Sequence, residues 1–390
     1  MKFSLLCCVL GVFGLNDILI DTDPGIDDIM AFLMALGNPN VQVRAITLTY
    51  GNTVLKNVAR NLCSFFHTLD LQAKATGTEL YRHNGIPRVA VGAHGPLKGP
   101  LYTAGYFHGL DGLGNLTLAH PELIAHDFQS YFDYNFDTKT KKYHPRKTST
   151  RFVASPLSAV DEILFQLKSL PPFTLTIVAL GPLTNIALAI QKDPITMSRV
   201  KRIVVMGGAL LVPGNTTPMA EFNFYADPYA VNVVFNSTRG LTRKTINPQP
   251  IHVTLAPVNL THTTLMAQET MTSFLANAQG QPIVTFYTSM LAIPFQKSNN
   301  IHGLALHDPV AMGIALNLIF PKPHTKRYTI QVEEESKLAR GLCVIDLRPK
   351  AKPTPTDDDI NIEVAYATDN PNLFQHTLLK ASFPSHKPPN

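Results

Sequence analysis

Four carboxylates fall within eight positions near the start of the chain: Asp21, Asp23, Asp27 and Asp28, in the stretch ILIDTDPGIDDIMA from Ile18 to Ala31. Like charges this close repel one another in a compact fold, so the cluster predicts a cation among them. Carboxylate oxygens favour a hard ion, Ca²⁺ or Mg²⁺, over zinc. One or two acids at a helix start would need no explanation beyond the helix dipole; four exceed that need.

The elements around the acids follow from the apolar pattern. Ile18 to Ile20 read as the end of a buried strand. Ile29 to Leu36 read as a helix closed by Gly37, with Asp23 as its cap and Pro24 in its first turn. Strand, acidic turn and helix then recur along the chain. Strands are predicted at Val41–Tyr50, Val89–Val91, Phe173–Leu180, Arg202–Met206 and Ile251–Leu255. Helices are predicted from about Thr53 to Leu69, at Ser158–Leu170, over IALAIQ after Asn185, over YAVNVVF after the Asp227 cap, after His307-Asp308-Pro309, and from about Asn372 to Lys380. The stretch 262–297 reads as helical and partly aromatic, and two or three strands close the fold. Such alternation predicts one α/β domain, an open, mainly parallel sheet with helices on both faces and a Rossmann-like core. In such a sheet the carboxyl ends of the strands share one edge, where ligands bind. The Asp21–Asp28 acids, Asn52, Leu180, Met206-Gly207-Gly208 and Asp308 all sit at those ends or open helices, so they are predicted to share a pocket. HGLDGLGN at 108–115 lacks the G-x-G-x-x-G spacing of a dinucleotide site.

Composition bounds the function. The 390 residues carry a formal net charge of +5, with 45% hydrophobic and 16% charged residues. Most of the surplus lies between Asp133 and Arg151, which reads as a basic, solvated surface insertion. The rest is near neutral, so no nucleic-acid partner is implied. The four cysteines form no CxxC and no disulfide framework. Residues 1–14 have a charged start and an apolar run of signal-peptide length, too short to span a membrane. Two readings stand for them: a cleaved signal peptide on a secreted protein, or an unusual amino terminus on a cytoplasmic one. Residues 15–383 form the domain, 349–356 a Pro-rich surface loop and 384–390 a tail. Sequons at Asn115, Asn236 and Asn259 permit glycosylation in a secreted protein.

DTDPGIDD resembles the amino-terminal signature of the nucleoside hydrolases, the inosine–uridine-preferring ribohydrolases. The family's other elements follow in its order: Asn52 after the second strand, the strand end at Leu180, Asn215…Glu221-Phe222-Asn223, and His307-Asp308-Pro309. The resemblance spans residue 17 to about 320. It implies that Asp23, Asp28, Asp308 and the Leu180 carbonyl bind Ca²⁺, and that Asp23 is also the general base on the attacking water. It implies that Asp27 grips the ribose diol and that Asn52, Met206, Asn215, Glu221 and Asn223 line or hold the sugar, with Asp21 behind the ligands. His307 would protonate the leaving base, and the protein would form a homodimer or homotetramer. The stretch MGGALLVPGN, 206–215, is a residue longer than the family pattern, which bears on the register of Asn215.

The chemistry fits these residue types. Breaking an N-glycosidic bond builds positive charge on the ribose, as in O-glycoside hydrolysis. A carboxylate takes a proton from water, and sugar contacts aim C1′ at it. Tyr287, Tyr225 and Tyr229 read most simply as core or rim aromatics, Tyr287 being the one that could reach the base, and His108 reads as structural or peripheral. Glu221 and Asn223 alternate as on a strand. With no Trp, the chain lacks the indole stacking associated with the family's purine-specific branch, and uridine and inosine are the expected substrates, met in nucleoside catabolism or salvage. Two rival readings are a Mg²⁺-dependent phosphatase of the haloacid-dehalogenase type and a non-catalytic nucleoside- or ribose-binding protein. Gly25, standing where the phosphatase pattern wants Thr or Val, opposes the first; Asp23, a base that a binder does not need, opposes the second.

Overall fold

The computed structural model describes residues 15–79, 81, 85–138, 142–240, 248–297, 303–319, 322–347 and 359–384. The possible signal peptide, the Pro-rich loop at 349–356 and residues 385–390 of the tail lie outside the described residues.

A nine-stranded sheet organises the chain. Its centre is β1 (Asn16–Thr22). On one side lie β2 (Val41–Leu48), β3 (Arg88–Val91) and β4 (Val153–Ala154); on the other lie β5 (Thr176–Ala179), β6 (Arg202–Met206) and β7 (Val253–Ala256). The edge beyond β7 is closed by β8 (His324–Tyr328) and β9 (Ile362–Ala367), giving the order β8-β9-β7-β6-β5-β1-β2-β3-β4. Every pairing is parallel except that of β8 with β9. The chain runs outward from β1 through β4, then restarts at β5 on β1's other flank. That reversal puts the topological switch point at β1 and β5, where open α/β sheets hold their ligands.

Side chains along β1 alternate between two cores. Ile18 and Ile20 face the layer of α1 (Ile26–Leu36), α2 (Leu55–Thr76), α7 (Pro282–Lys297), α8 (His307–Leu316) and α9 (Pro371–Ser382). Leu19 faces the layer of α3 (Ala159–Ser169), α4 (Thr184–Lys192) and α6 (Pro228–Asn236), with the short α5 (Phe222–Ala226) just before α6. A strand buried on both faces has no polar side, which is why its pattern is a continuous apolar run. No helix among the described residues is long and apolar enough to cross a membrane.

Helix α1 is buried almost all round, so its Met, Ala and Leu content and the absence of β-branched runs hold it helical without an exposed face. It begins later than the sequence predicts. Gly25, not Asp23, is the N-cap, and Pro24 lies before the helix. Asp28 reaches back so that Gly25 N–H donates to its Oδ2 at 2.9 Å, half of a capping box. Three further departures are local. Helix α2 runs past Leu69 to a left-handed Gly77. Helix α8 stops at Leu316, where Asn317 turns left-handed. Residues 222–226 are helical rather than strand-like, because Glu221 caps them. Within 133–151, Tyr134–Asp137 pairs with Lys142–Pro145 as a hairpin, and Arg151 is not solvated: it is 3% exposed and its Nε donates to Asp70 at 2.6 Å.

Candidate active site

The strand ends converge on a cavity of about 550 Å³, a size suited to a small organic ligand. Its wall includes Asp27, Asn52, Leu180, Met206, Asn215, Glu221, Asn223, His307 and Asp308. Asp23 and Asp28 lie just behind that wall, 1% and 0% exposed.

Asp23 leaves the end of β1 and is clasped by backbone. Its Oδ2 accepts the Asn52 N–H at 2.7 Å, while its Oδ1 is buried with no partner. A Cβ on Gly181 would lie 2.5 Å from that free oxygen, so only glycine lets the loop after β5 approach. Burial, then the neighbouring Asp28, raises the Asp23 pKa well above the ordinary carboxylate value.

Asp28 is the most heavily bonded of the acids in the Asp21–Asp28 cluster. Thr22 Oγ1 and Asp23 N–H donate to its Oδ1, and Gly25 N–H and Asn52 Nδ2 to its Oδ2. Asn52 thus spends its amide nitrogen on Asp28 at 2.9 Å and on the Asp23 carbonyl at 3.3 Å; the same Asn that lines the cavity orients two of the acids. Asp308 arrives from the first turn of α8. One oxygen each from Asp27, Asp28 and Asp308 lies within 4.8 Å of the others. Burial, then Asp28, raises Asp27 to about 7. Burial, then Asp27, Asp28 and Asp23, pushes Asp308 well up. None of the described ion pairs brings a Lys, Arg or His to these four acids. Asp27 Oδ1, like Asp23 Oδ1, has no partner. Buried, mutually repelling, half-satisfied carboxylates are what a hard cation would complete, so the residues present fit a metal ion. Asp23 stands beside the tightest group rather than within it.

Asp21 lies behind. Thr47 Oγ1 at 2.6 Å and Asn185 Nδ2 at 2.8 Å both donate to its Oδ1, and burial raises its pKa to about 7.

The other side of the cavity is built by α5. Glu221 accepts N–H bonds from Asn223 at 2.8 Å, Gly208 at 2.9 Å and Phe224 at 3.2 Å. Burial still raises its pKa to about 7. Asn223 Nδ2 donates to the Leu180 carbonyl at 2.7 Å and the Met206 carbonyl at 3.2 Å, tying the ends of β5 and β6 together. The Leu180 oxygen keeps a second lone pair for another ligand. Asn215 Oδ1 accepts the Phe222 N–H at 2.9 Å, and Asn215 lines this wall.

Three histidines surround the remaining wall. His307 Nδ1 lies 2.7 Å from Thr261 Oγ1, and its ring meets that of His262 edge-on with centroids 5.4 Å apart. Burial, then His262 and His108, lowers its pKa to about 3, so the ring is neutral at pH 7. His108 is not peripheral: it is 6% exposed, lines the cavity and accepts the Ile26 N–H on Nδ1 at 3.2 Å, which places its proton on Nε2. Its contact crosses 82 positions, and the only local signal is the glycine-rich loop after it, held by Asp111, whose carboxylate accepts from Leu113, Asn115 and Thr117 N–H. Tyr287 does not reach the cavity; it is fully buried edge-on to Phe383 at 5.3 Å.

Known proteins resemble this chain in sequence and in fold. A family model described as inosine-uridine preferring nucleoside hydrolase matches residues 18–375. A probable uridine nucleosidase of Oryza sativa subsp. japonica is 32% identical over 94% of this chain and 97% of its own length. The inosine-uridine preferring nucleoside hydrolase of Crithidia fasciculata is 31% identical over 90% of this chain and 93% of its own. A solved plant nucleoside hydrolase superposes with a TM-score of 0.68 at 26% identity, covering 94% of this chain and 98% of that one.

Proposed function

The chain belongs to the family of inosine-uridine preferring nucleoside hydrolases and is a ribonucleoside N-glycosyl hydrolase, and from that premise we propose that it is a Ca²⁺-dependent enzyme of nucleoside catabolism or salvage, with uridine and inosine as preferred substrates. The observation that carries the proposal is the set of buried acids with unpartnered oxygens at a cavity that Glu221, Asn223 and His307 also line. The phosphatase and the non-catalytic readings give way to the family assignment.

Asp23, Asp28 and Asp308 would hold the cation with the Leu180 carbonyl. A bound cation supplies Lewis acidity, lowering the pKa of the attacking water and fixing its place. Asp23 takes the water's proton on its free Oδ1 as oxygen bonds to C1′ and the C1′–N bond breaks. Asp27 accepts hydrogen bonds from the ribose diol through its own free oxygen. Asn215, Glu221 and Asn223, on their short-range backbone scaffold, hold the sugar, with Met206 beside them. At the base, Thr261 Oγ1 engages His307 Nδ1 at 2.7 Å, and with the proton on its other ring nitrogen His307 would assist departure by donating a hydrogen bond to the leaving base, which takes its proton in the end from the water that was split. Tight sugar contacts and a single donor to the base accommodate both uracil and hypoxanthine. The protein acts as a homodimer or homotetramer, a state that light scattering reads directly.

The test is liquid chromatography of uridine, inosine, adenosine and 2′-deoxyuridine after incubation with the protein and Ca²⁺, with and without a chelator. Free base and ribose should form fastest from uridine and inosine, more slowly from adenosine and slowest from the deoxynucleoside, which strands Asp27 without its partner. Chelation should stop all four reactions and Ca²⁺ should restore them. Full turnover after exhaustive chelation would remove the metal from the proposal.

A further inference from the structure

Helix α5 is only five residues long, too short to hold itself, yet it carries Asn223 and is capped by Glu221. Its far end is gripped by a turn more than a hundred positions downstream. Arg340 Nε donates to the Tyr225 carbonyl at 2.9 Å and Nη2 to the Ala226 carbonyl at 3.3 Å. These are carbonyls a helix end leaves unsatisfied, and a cation there answers the dipole. Nη1 donates to the Glu334 carbonyl at 3.1 Å, and the guanidinium lies 5.6 and 5.8 Å from the centroids of Tyr102 and Tyr225.

The turn is itself rigid. It joins the paired strands Ile330–Val332 and Cys343–Ile345. Glu333 Oε1 accepts the N–H groups of Glu335 and Ser336, Arg340 N–H donates to the Ser336 carbonyl, and Gly341 N–H to that of Glu333. Gly341 has φ +80°, and a Cβ there would lie 2.7 Å from Tyr225 Cα, so turn and helix touch backbone to backbone.

We propose that Arg340 is a positioning residue: by locking the carboxyl end of α5 it sets the placement of Glu221 and Asn223, and so the grip on the sugar. The proposal rests on the sugar-holding reading of those two residues. The planar fork is essential, because a lysine offers one nitrogen where Arg340 serves four carbonyls, those of Tyr225, Ala226, Glu334 and Lys98, from three.

The test is a double-mutant cycle in the full chain with Ca²⁺ and uridine. Arg340→Lys should lower kcat/KM about tenfold or more, mostly through a raised KM, because ground-state sugar binding is what slackens. In a Glu221→Gln background the same change should cost less than about threefold, because the residue it acts through is already disabled. Equal losses in both backgrounds, or Arg340→Lys within about threefold of the parent, would overturn the proposal. A Glu221→Gln protein with parental kcat/KM would overturn it together with its premise, a distinct outcome. Arg340→Ala is the harsher variant; should it not fold, Arg340→Lys carries the test.

Discussion

The dipeptide Asp-Pro stands at or next to a helix start four times in this chain, at Asp23, Asp193, Asp227 and Asp308, and the molecule uses it in two ways. Asp193 and Asp227 are finished structures. Asp193 receives Thr196 N–H and Oγ1 and pairs with Lys168; its pKa falls to about 2, chiefly through the Thr196 bonds. Asp227 receives Ala230 N–H, Leu97 N–H and Thr184 Oγ1, so both oxygens are satisfied. Asp23 and Asp308 do not cap their helices, whose N-caps are Gly25 and Leu306. They sit among other acids: burial raises the pKa of Asp227 as well, but only at Asp23 and Asp308 do neighbouring carboxylates add to the rise. The same two letters therefore encode a cap where donors answer the carboxylate and, on the function proposed above, a reactive or ligating group where other carboxylates surround it. Neighbours, not the dipeptide, decide.

On that proposal, breaking the Asp23 and Asp308 pair should dwarf breaking the caps. Asp23→Asn should keep the fold and lower kcat about a thousandfold or more, since an amide cannot take the water's proton and weakens any metal site. Steady-state kinetics within tenfold of the parent would remove Asp23 from the base role. His307→Ala comes next: a loss of about a hundredfold with uridine or inosine, and only a few-fold with p-nitrophenyl riboside, whose leaving group needs no donor. Equal losses on the two substrates would show that His307 does not assist the base.

The acids also set a pH signature. Asp21, Asp27 and Glu221 titrate near 7 in the folded chain through burial, against about 4 when unfolded. Raised folded values mean the native state binds more protons than the unfolded one between those limits, so their contribution weakens as pH rises through 7. The metal-stripped protein should therefore melt at a lower temperature at pH 8 than at pH 6.5, and Ca²⁺ should reverse the trend. Below pH 6.5 the buried His108 and His307, held neutral by desolvation with pKa values near 3, oppose the gain. A metal-free melting temperature that rises from pH 6.5 to 8 would contradict the account. The smallest effect belongs to the caps: Asp193→Ala should cost about 1 kcal/mol in denaturant unfolding and leave turnover unchanged.

Much of this was legible in the sequence, and the misses share a cause. The sheet followed from alternating apolar runs and turns, and the Asp21–Asp28 acids, Asn52, Leu180 and Asp308 from their places at strand ends. What periodicity could not show was which partner each polar group would find. Asp23 reads as a cap until Asn52 N–H, delivered by β2, claims its carboxylate. Glu221 and Asn223 alternate like strand residues, but the Glu221 carboxylate collects three N–H groups and winds the segment into α5. His108 reads as structural or peripheral, and Arg151 as part of a solvated insertion, because their partners, Ile26 and Asp70, lie about eighty positions away. Tyr287 lies inside the apolar layer, as its reading as a core aromatic expects, and so does not reach the base.

The most direct measurement is isothermal titration of Ca²⁺ into chelator-stripped protein, comparing the parent with Asp308→Asn and Asp193→Asn. The account predicts one saturable site in the parent, the same site in Asp193→Asn, and loss of binding by at least about tenfold in Asp308→Asn, where one carboxylate ligand is gone. No Ca²⁺ binding in the parent, or equal binding in all three, would contradict it.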